Sequence, residues 1–279
     1  NGNTKLARLR RHVRLIHQKT TLTTDSLNYD RKKNIAYYFS GGMIEDSLNT
    51  LTSRWGQYTP DNHQAIFRDE VKLVNPKFVL TADTLGYNTE TYQSDIVGPT
   101  TILYDEETTI LSTNGWYNTQ TELSMLLDRS RIIHVDGITL TGDTIYYDKA
   151  NGYGRSLGNI ESTDSTNHMT LYGNVSEVWE DGGRGYVTDS AMLLDWSDST
   201  AFTYMHADTL WTEEISYPIF TLKMRDSLLV DSVMVAQNPD TIWRDTTYQQ
   251  LRAFWHVRVF RNDIQAVCDS ARYHGRDSL

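Results

Sequence analysis

The sequence has a single cysteine, Cys268, and only five prolines. A lone cysteine excludes an internal disulfide framework and an all-cysteine zinc site. Cys268 has no basic neighbour in the sequence that would lower the pKa of its thiol, so we do not expect it to be reactive. No apolar run approaches the ~20 residues that a membrane-spanning helix needs. The net charge of −10 disfavours nucleic acid as a partner, because such binding depends mainly on contacts to phosphates.

Aromatic residues, in contrast, are abundant. The 279 residues include 17 Tyr, 7 Trp and 7 Phe, and 39% of the chain is hydrophobic. This content is typical of a chain that buries a core and excludes a solvated, disordered segment.

A nine-residue pattern, Leu-x-x-Asp-Ser/Thr-apolar-x-Tyr-Asp/Asn, recurs along the chain. Three full copies occupy residues 22–30, 80–88 and 140–148, and weaker copies begin at Leu51 and Leu111. The copies are spaced by about 30 residues, which is the signature of an array of stacked structural units.

Upstream of each copy lies a segment in which apolar and polar residues alternate. Alternation with a period of two, in segments rich in Val, Ile, Tyr and Thr, predicts half-buried strands. Turn-forming pairs such as Asn75-Pro76, Asn114-Gly115 and Asp136-Gly137 separate these segments. The sequence therefore predicts an all-β fold.

The N-terminus allows a second interpretation. Leu6, Leu9, Val13 and Ile16 also fit the spacing of an amphipathic helix. Alignment with the later repeats favours a strand instead, with Arg8, Arg10 and Arg14 on the face opposite Val13 and Leu15.

The regular spacing is lost after residue 150, because Asp189 and Asp208 do not continue it. The stretch 213–250 resembles the repeat least and contains Pro218 and Pro239. No linker composition surrounds it. We therefore predict one elongated domain over residues 1–279 with an insertion or long hairpin near 213–250.

A unit of about 30 residues supplies roughly two strands and cannot bury its own apolar face, whereas stacked units can enclose a continuous interior. Alternation places the apolar and tyrosine positions of each copy on one face with its first aspartate. We expect six of these side chains to point inward: Leu27, Tyr29, Leu85, Tyr87, Ile145 and Tyr147. The aspartates are expected near strand starts, where a carboxylate accepts backbone N–H groups.

Two other chemistries are weaker. Paired carboxylates can cleave glycosides, but an acid repeated in every unit is typical of a structural turn element. The eight histidines show no metal-ligand spacing, so no metal or cofactor is predicted.

The basic cluster at the N-terminus departs from the acidic background. Such a cluster is usually a solvated strand face. The alternative is a phosphate contact through Arg8, Arg10 and Arg14, since the guanidinium group matches phosphate oxygens in pairs.

The repeat resembles the OstA-like (organic solvent tolerance) family of lipopolysaccharide-transport proteins. Four segments carry the resemblance: Val13–Asp30, Ala65–Asn88, Ile132–Asp148 and Ala253–Tyr273. It implies a repeat-built, elongated open β-jellyroll, in which a V-shaped pair of antiparallel sheets encloses an apolar groove.

The resemblance also implies a function without catalysis. The protein would carry lipopolysaccharide or a similar glycolipid across the periplasm, alone or in association with the outer membrane, by shielding its acyl chains in the groove. The six inward side chains would then contact the lipid. Its exposed terminal strands would pair edge to edge with other β-jellyroll transport proteins or with a second copy of the chain.

Two alternatives remain open. One is a structural or adhesive β-array whose interior is filled, with Trp55, Trp116, Trp179 and Trp255 as candidate fillers. The other is a glycan-active β-solenoid enzyme, which would need two acids at catalytic separation in a cleft.

Overall fold

A computed structural model describes residues 5–17, 19–222 and 241–274, and side chains within these ranges except at 17, 217–222, 241–249 and 274. The described chain is a single antiparallel β-array with two one-turn 3₁₀ helices, Pro60–Asn62 and Asp181–Gly183. This confirms the predicted all-β class. The strands are β1 (Leu6–His17), β2 (Thr20–Asp30), β3 (Ile35–Tyr38), β4 (Gly42–Glu45), β5 (Thr50–Ser53), β6 (Trp55–Thr59), β7 (Gln64–Asn75), β8 (Phe78–Asn88), β9 (Gln93–Tyr104), β10 (Thr108–Asn118), β11 (Leu123–Leu127), β12 (Ser130–His134), β13 (Ile138–Gly142), β14 (Thr144–Asp148), β15 (Tyr153–Asp164), β16 (Met169–Trp179), β17 (Arg184–Asp195), β18 (Thr203–Leu222), β19 (Thr241–Phe260) and β20 (Gln265–His274).

Each strand pairs with strands close to it in sequence, so the array grows along one axis. Pairs of short strands take the place of one long strand: β2 pairs with both β3 and β4, and β10 pairs with both β11 and β12. We call each long strand, or each such pair, a rung. The first residues form a strand and not a helix, because β1 pairs with β2 along almost its whole length.

Every rung changes direction near its middle, and we call this line of bends the corner. Rungs with two or three residues at the corner alternate with rungs that have one. In β7, for example, Asp69 and Glu70 both adopt positive φ and face the single residue Asp83 of β8. Such bulges bend a strand and increase its twist.

The corner divides the array into two arms. Arm A contains the half-rungs that end at turns 31–34, 60–63, 89–92, 119–122, 149–152 and 180–183. Arm B contains those that end at turns 46–49, 76–77, 105–107, 135–137, 165–168 and 196–202. We call the space between the arms the trough, and the side opposite the corner its mouth.

The corner explains the sequence period. The one-residue corners are at positions 25, 54, 83, 113, 143, 174, 208 and 269, so each repeat contains two rungs. The prediction that the spacing is lost after residue 150 was wrong up to Asp208. Asn174 occupies a corner that is Asp in the three full copies of the repeat, and Asp189 belongs to a two-residue corner instead.

The stretch predicted as an insertion begins as a continuation of β18 and β19. Their pairing extends from Tyr204↔Phe260 to Leu222↔Thr241. Residues 223–240, the middle of that stretch, lie outside the described residues.

Backbone groups left unpaired by the bends are bound by short hydroxyl side chains. The Thr24 hydroxyl donates to the carbonyl of Gly41 at 2.6 Å, and the Ser112 hydroxyl to that of Asn114 at 2.9 Å. The Ser130 hydroxyl donates to the Leu127 carbonyl at 2.8 Å. All three side chains are buried, so these bonds avoid the cost of an unsatisfied carbonyl.

The core follows the corner. Val71 and Leu85 are 2% and 1% exposed, and in the C-terminal half Ala191 and Val257 are fully buried. Two residues further from the corner along arm B, Leu73 and the equivalent residues of the other rungs are only half-buried. The interior is therefore tightly packed at the corner and becomes more open toward the mouth.

Candidate functional site

The trough is the candidate functional site, because aliphatic side chains of arm B, together with Leu251 of arm A, face it. These residues pack against the three buried clusters at the corner but remain half-buried themselves. They include Leu73, Ile102, Ile110, Ile132, Leu140, Leu171, Leu193, Met205, Leu251 and Val259.

All six side chains predicted to point inward belong to arm A. Leu27, Leu85 and Ile145 are buried beside the corner, with exposed fractions of 6%, 1% and 4%. The tyrosines of the same copies, Tyr29, Tyr87 and Tyr147, are half-buried and lie two residues nearer the mouth. A role of these six residues in lipid binding stays a prediction.

The lining of arm B was missed by the sequence analysis. Leu80 and Leu85 are five residues apart, so simple alternation places them on opposite faces. In the structure both belong to one buried cluster, because the strand turns at the corner between them. The signal was present in the leading leucine of the three full copies.

The repeated acids have structural partners. The Asp25 carboxylate accepts the backbone N–H of His12 at 3.1 Å, and that of Asp143 accepts the Asn159 side-chain amide at 2.6 Å. Asp25 lies at the middle of β2, so the expected position near a strand start was wrong for this residue. The expected acceptance of a backbone N–H at a bend is confirmed there.

The last residue of the repeat stabilises the arm A turns. The Asn88 side-chain oxygen accepts the N–H groups of Glu90 and Thr91, both at 2.9 Å. Asn118 and Asp148 make equivalent bonds in their own turns. Two recurring features of the repeat, the acid at the corner and the acid or amide at the turn, thus form hydrogen bonds that stabilise the backbone.

The two arms contact each other across part of the mouth. Lys77 of arm B lies 3.5 Å from the Glu122 carboxylate of arm A. Beneath it, the rings of Phe78 and Tyr117 meet edge to face with centroids 6.5 Å apart. The trough is therefore bridged at these rungs.

A second contact crosses the mouth beside the first. The Lys149 ammonium of arm A lies 4.3 Å from the centre of the Tyr104 ring of arm B. Burial lowers the pKa of Lys149, and the nearby charge of Lys77 lowers it further, while Glu180 opposes both effects. Lys77 and Lys149 thus cross the mouth in opposite directions.

Tyrosine hydroxyls on the inner face of arm A stay protonated. Burial raises the pKa of Tyr147, and the Glu180 carboxylate, which accepts a hydrogen bond from its hydroxyl at 2.5 Å, raises it further. Burial also raises the pKa of Tyr87 and of Tyr117. The inner face therefore gains no negative charge from these groups at neutral pH.

The four tryptophans considered as fillers lie outside the trough. Trp55 stacks with Arg68 at 5.2 Å, and Trp116 is on the face opposite Leu126. Trp179 belongs to an outer aromatic ladder with Tyr153 at 5.7 Å and Tyr186 at 6.1 Å. Trp255 is 62% exposed.

The N-terminal arginines also lie outside. Val13 and Leu9 face the same side as buried Thr24 and Leu27, so alternation places Arg8, Arg10 and Arg14 on the outer face. Arg10 donates to the Asn28 side chain at 2.8 Å and stacks on Phe39 at 5.4 Å. A phosphate contact through these arginines stays a prediction, and it would be made outside the trough.

Two features are absent from the described residues: a group of metal ligands and a membrane-spanning helix. No three His, Cys, Asp or Glu side chains are grouped there so that they could hold a metal ion. None of the helices in that part of the chain is long and apolar enough to cross a membrane.

Comparison with known proteins adds a family resemblance. No curated protein matches the chain. Among solved structures it is similar to LptH, described as the LptA homologous periplasmic component of the conserved lipopolysaccharide transport device from Pseudomonas aeruginosa. The identity is 19% and the TM-score 0.33, over 36% of this chain and 75% of that one. Residues 1–83 match the model of the OstA-like protein family, so the resemblance predicted from the repeat is confirmed for that part of the chain.

Proposed function

We propose that this protein is a non-enzymatic carrier that holds the acyl chains of lipopolysaccharide or a similar glycolipid in the trough, within the periplasm. One observation carries the proposal: arm B lines the trough with aliphatic side chains that are half-buried toward the mouth, and arm A adds aliphatic side chains buried beside the corner and half-buried tyrosines. The OstA-like match of residues 1–83 supports the same substrate class.

The energetics favour acyl binding. Transfer of a methylene group from water to an apolar site stabilises by ~0.8 kcal/mol, so a dozen methylenes contribute on the order of 10 kcal/mol before ordering costs. The acidic net charge of −10 repels an anionic glycolipid mildly. Acyl contacts must therefore dominate the affinity.

Binding of a fluorescent acylated glycolipid to delipidated protein, with unlabelled lipopolysaccharide as competitor, tests the proposal. Ile102 faces the trough, whereas its neighbour Leu103 is 40% exposed on the opposite face of β9. We expect Ile102→Asp to weaken binding at least tenfold, because the acyl chain would meet a carboxylate. Leu103→Asp, the matched control, should leave binding unchanged.

The test has a clear contrary result. Absence of saturable binding by the wild-type protein, or equal affinities of the two variants when circular dichroism shows both folded, would contradict an acyl site in the trough. Aspartate at Leu85 or Ile145 would not serve as a test, because both side chains are fully packed at the corner and a buried charge there would unfold the chain.

The contact between Phe78 and Tyr117 favours one alternative, a structural array with a filled interior. In that case the two arms stay in contact and no lipid enters. The same titration separates the two functions, because a filled interior gives no binding that lipopolysaccharide can displace.

We further propose that copies of the chain stack end to end, with β20 of one copy pairing with β1 of the next. Both edge strands expose apolar side chains: Ile16 is 61% exposed in β1, and Val267 is 81% exposed in β20. The corner supports this order. β20 has the one-residue corner Asp269 and β1 the two-residue corner Arg11–His12, so stacking continues the alternation found within the chain.

This stacking places two particular residues side by side. Cys268 precedes the corner of β20 as Thr24 precedes that of β2, and Thr24 pairs with Val13. Cys268 of one copy would therefore face Val13 of the next, within the Cα separation that a disulfide requires. Oxidation of Val13→Cys should give covalent oligomers through exposed Cys268, and Leu9→Cys, on the other arm, should not. Equal cross-linking of the two variants would contradict the stacking.

A further inference from the structure

The mouth of the trough carries two lysines that reach across it from opposite arms. Lys77 projects from the β7–β8 turn of arm B, and Lys149 from the β14–β15 turn of arm A. The Lys77 ammonium pairs with Glu122 at 3.5 Å, whereas the Lys149 ammonium lies over the Tyr104 ring and has no carboxylate within 4.0 Å among the described residues.

Tyr104 provides a second, independent observation. Its ring lies at the end of β9, on the same face as the trough residue Ile102. Its hydroxyl is buried and makes no hydrogen bond with any described residue. A buried hydroxyl without a partner is unfavourable, and an acceptor oxygen supplied by a ligand would satisfy it.

The charges around this cluster are nearly balanced. The Glu122 carboxylate is paired with the Lys77 ammonium, and the Glu180 carboxylate accepts a hydrogen bond from the Tyr147 hydroxyl. Lys149 is partly desolvated and repelled by Lys77, which together lower its pKa. An anion between the two ammonium groups would remove this repulsion and stabilise both charged forms.

The surroundings define the kind of anion. Directly beneath Lys77, the Phe78 and Tyr117 rings close the apolar trough. A ligand at this place would therefore have an anionic group at the mouth and an apolar chain below it. A phosphate fits best, because it accepts hydrogen bonds from several donors at once.

We propose that Lys77, Lys149 and Tyr104 form a binding site for the phosphate headgroup of an acylated ligand whose chains lie in the trough. This inference rests on the proposed carrier function and adds a location for the headgroup. The site lies at the mouth, far from the outer-face arginines of β1.

The test compares two synthetic acylated disaccharides that differ only in one phosphate monoester. We expect wild-type protein to bind the phosphorylated lipid at least about tenfold more tightly, the effect of one charge-assisted hydrogen bond. Lys77→Gln with Lys149→Gln should abolish this preference. Lys32→Gln with Lys33→Gln, which removes the same charge from an exposed turn, should preserve it.

A second variant separates a ligand role from a structural one. Tyr104→Phe removes a hydroxyl that has no partner, so the midpoint of urea unfolding should stay the same or rise. The preference for the phosphorylated lipid should nevertheless fall. A loss of stability in Tyr104→Phe would show that the hydroxyl serves the fold and would contradict its assignment to the site.

The outcomes distinguish this inference from the carrier function. Equal affinity of wild-type protein for the two lipids, or a preference that survives in the Lys77/Lys149 variant, overturns the phosphate site and leaves the trough intact. Failure to bind either lipid overturns the carrier function itself. Competition by inorganic phosphate alone, at the affinity of the phosphorylated lipid, would show a free-anion site and also overturn the proposal.

Discussion

Small residues at the corner leave room for a large buried side chain. Gly42 and Gly56 flank the buried Tyr38 ring, and a Cβ atom at Gly56 would lie 2.5 Å from its carbons. The Tyr38 hydroxyl is bound to Ser53 at 2.5 Å, which fixes the ring in place. Glycine at these positions therefore makes room for a tyrosine that packs the N-terminal part of the corner.

Gly56→Ala should consequently destabilise the protein by about 1–3 kcal/mol, because the added methyl group overpacks a fixed ring. The free energy of unfolding from urea titration measures this effect. Gly182→Ala serves for comparison, since no atom lies within 4 Å of its added Cβ and the loss there reflects positive φ alone. A smaller loss at Gly56 than at Gly182 would contradict the packing argument.

Turn carboxylates give the stability a dependence on pH. Burial raises the pKa of Asp164, but hydrogen bonds from Asn167 and Thr166 outweigh it, and the pKa falls below its ordinary 3.8. The folded state thus binds this proton less readily than the unfolded state. The stabilisation is present above about pH 4 and is lost as the pH falls below that value.

Asp164→Asn should reduce this loss, because an amide oxygen accepts the same N–H groups without titrating, as Asn88 and Asn118 do in equivalent turns. Unfolding free energies at pH 7 and pH 3 measure the change. We expect a smaller difference between the two pH values in the variant than in the wild type. An unchanged difference would show that Asp164 does not contribute to acid sensitivity.

At the scale of the strand, alternation and turn residues were enough to predict strands, hairpins and the inward side chains of arm A. They were not enough to predict arm B. A strand that turns at the corner changes which of its residues face inward, and nothing in the alternation around Asp83 announces this change. The repeat in the second half was missed for a simpler reason, because Asn174 replaces the aspartate that marked earlier corners.

The bend itself depends on residues that tolerate positive φ. Gly98, with φ of +86°, is followed by Pro99 at the corner of β9, and an added Cβ would meet no atom within 4 Å. Gly98→Ala should therefore cost about 1 kcal/mol through backbone strain alone. Thermal unfolding measures the loss. An unchanged melting temperature would show that the corner of β9 relaxes without this conformation.

At the scale of the whole molecule, local pairing of successive rungs makes a long wedge instead of a closed core. One-residue and two-residue corners alternate along the array, so the edge strands β1 and β20 have different corners that could fit together. The sequence period did not reveal this, because both rungs of a repeat show the same apolar–polar alternation. The contacts between arms were equally hidden, since Lys77 and Lys149 are 72 positions apart and only the folded array brings them together. Acyl binding near Phe78 and Tyr117 requires these two rings to separate.

The most direct test of the central claim uses a glycolipid with a photoreactive group at the end of one acyl chain. After irradiation of the complex, mass spectrometry locates the labelled residues. Acyl binding in the trough predicts labels on residues that line it, such as Leu73, Ile102, Ile110 and Leu193. It predicts none on the outward neighbours Leu103 and Leu111. Labels confined to the outer faces would contradict it.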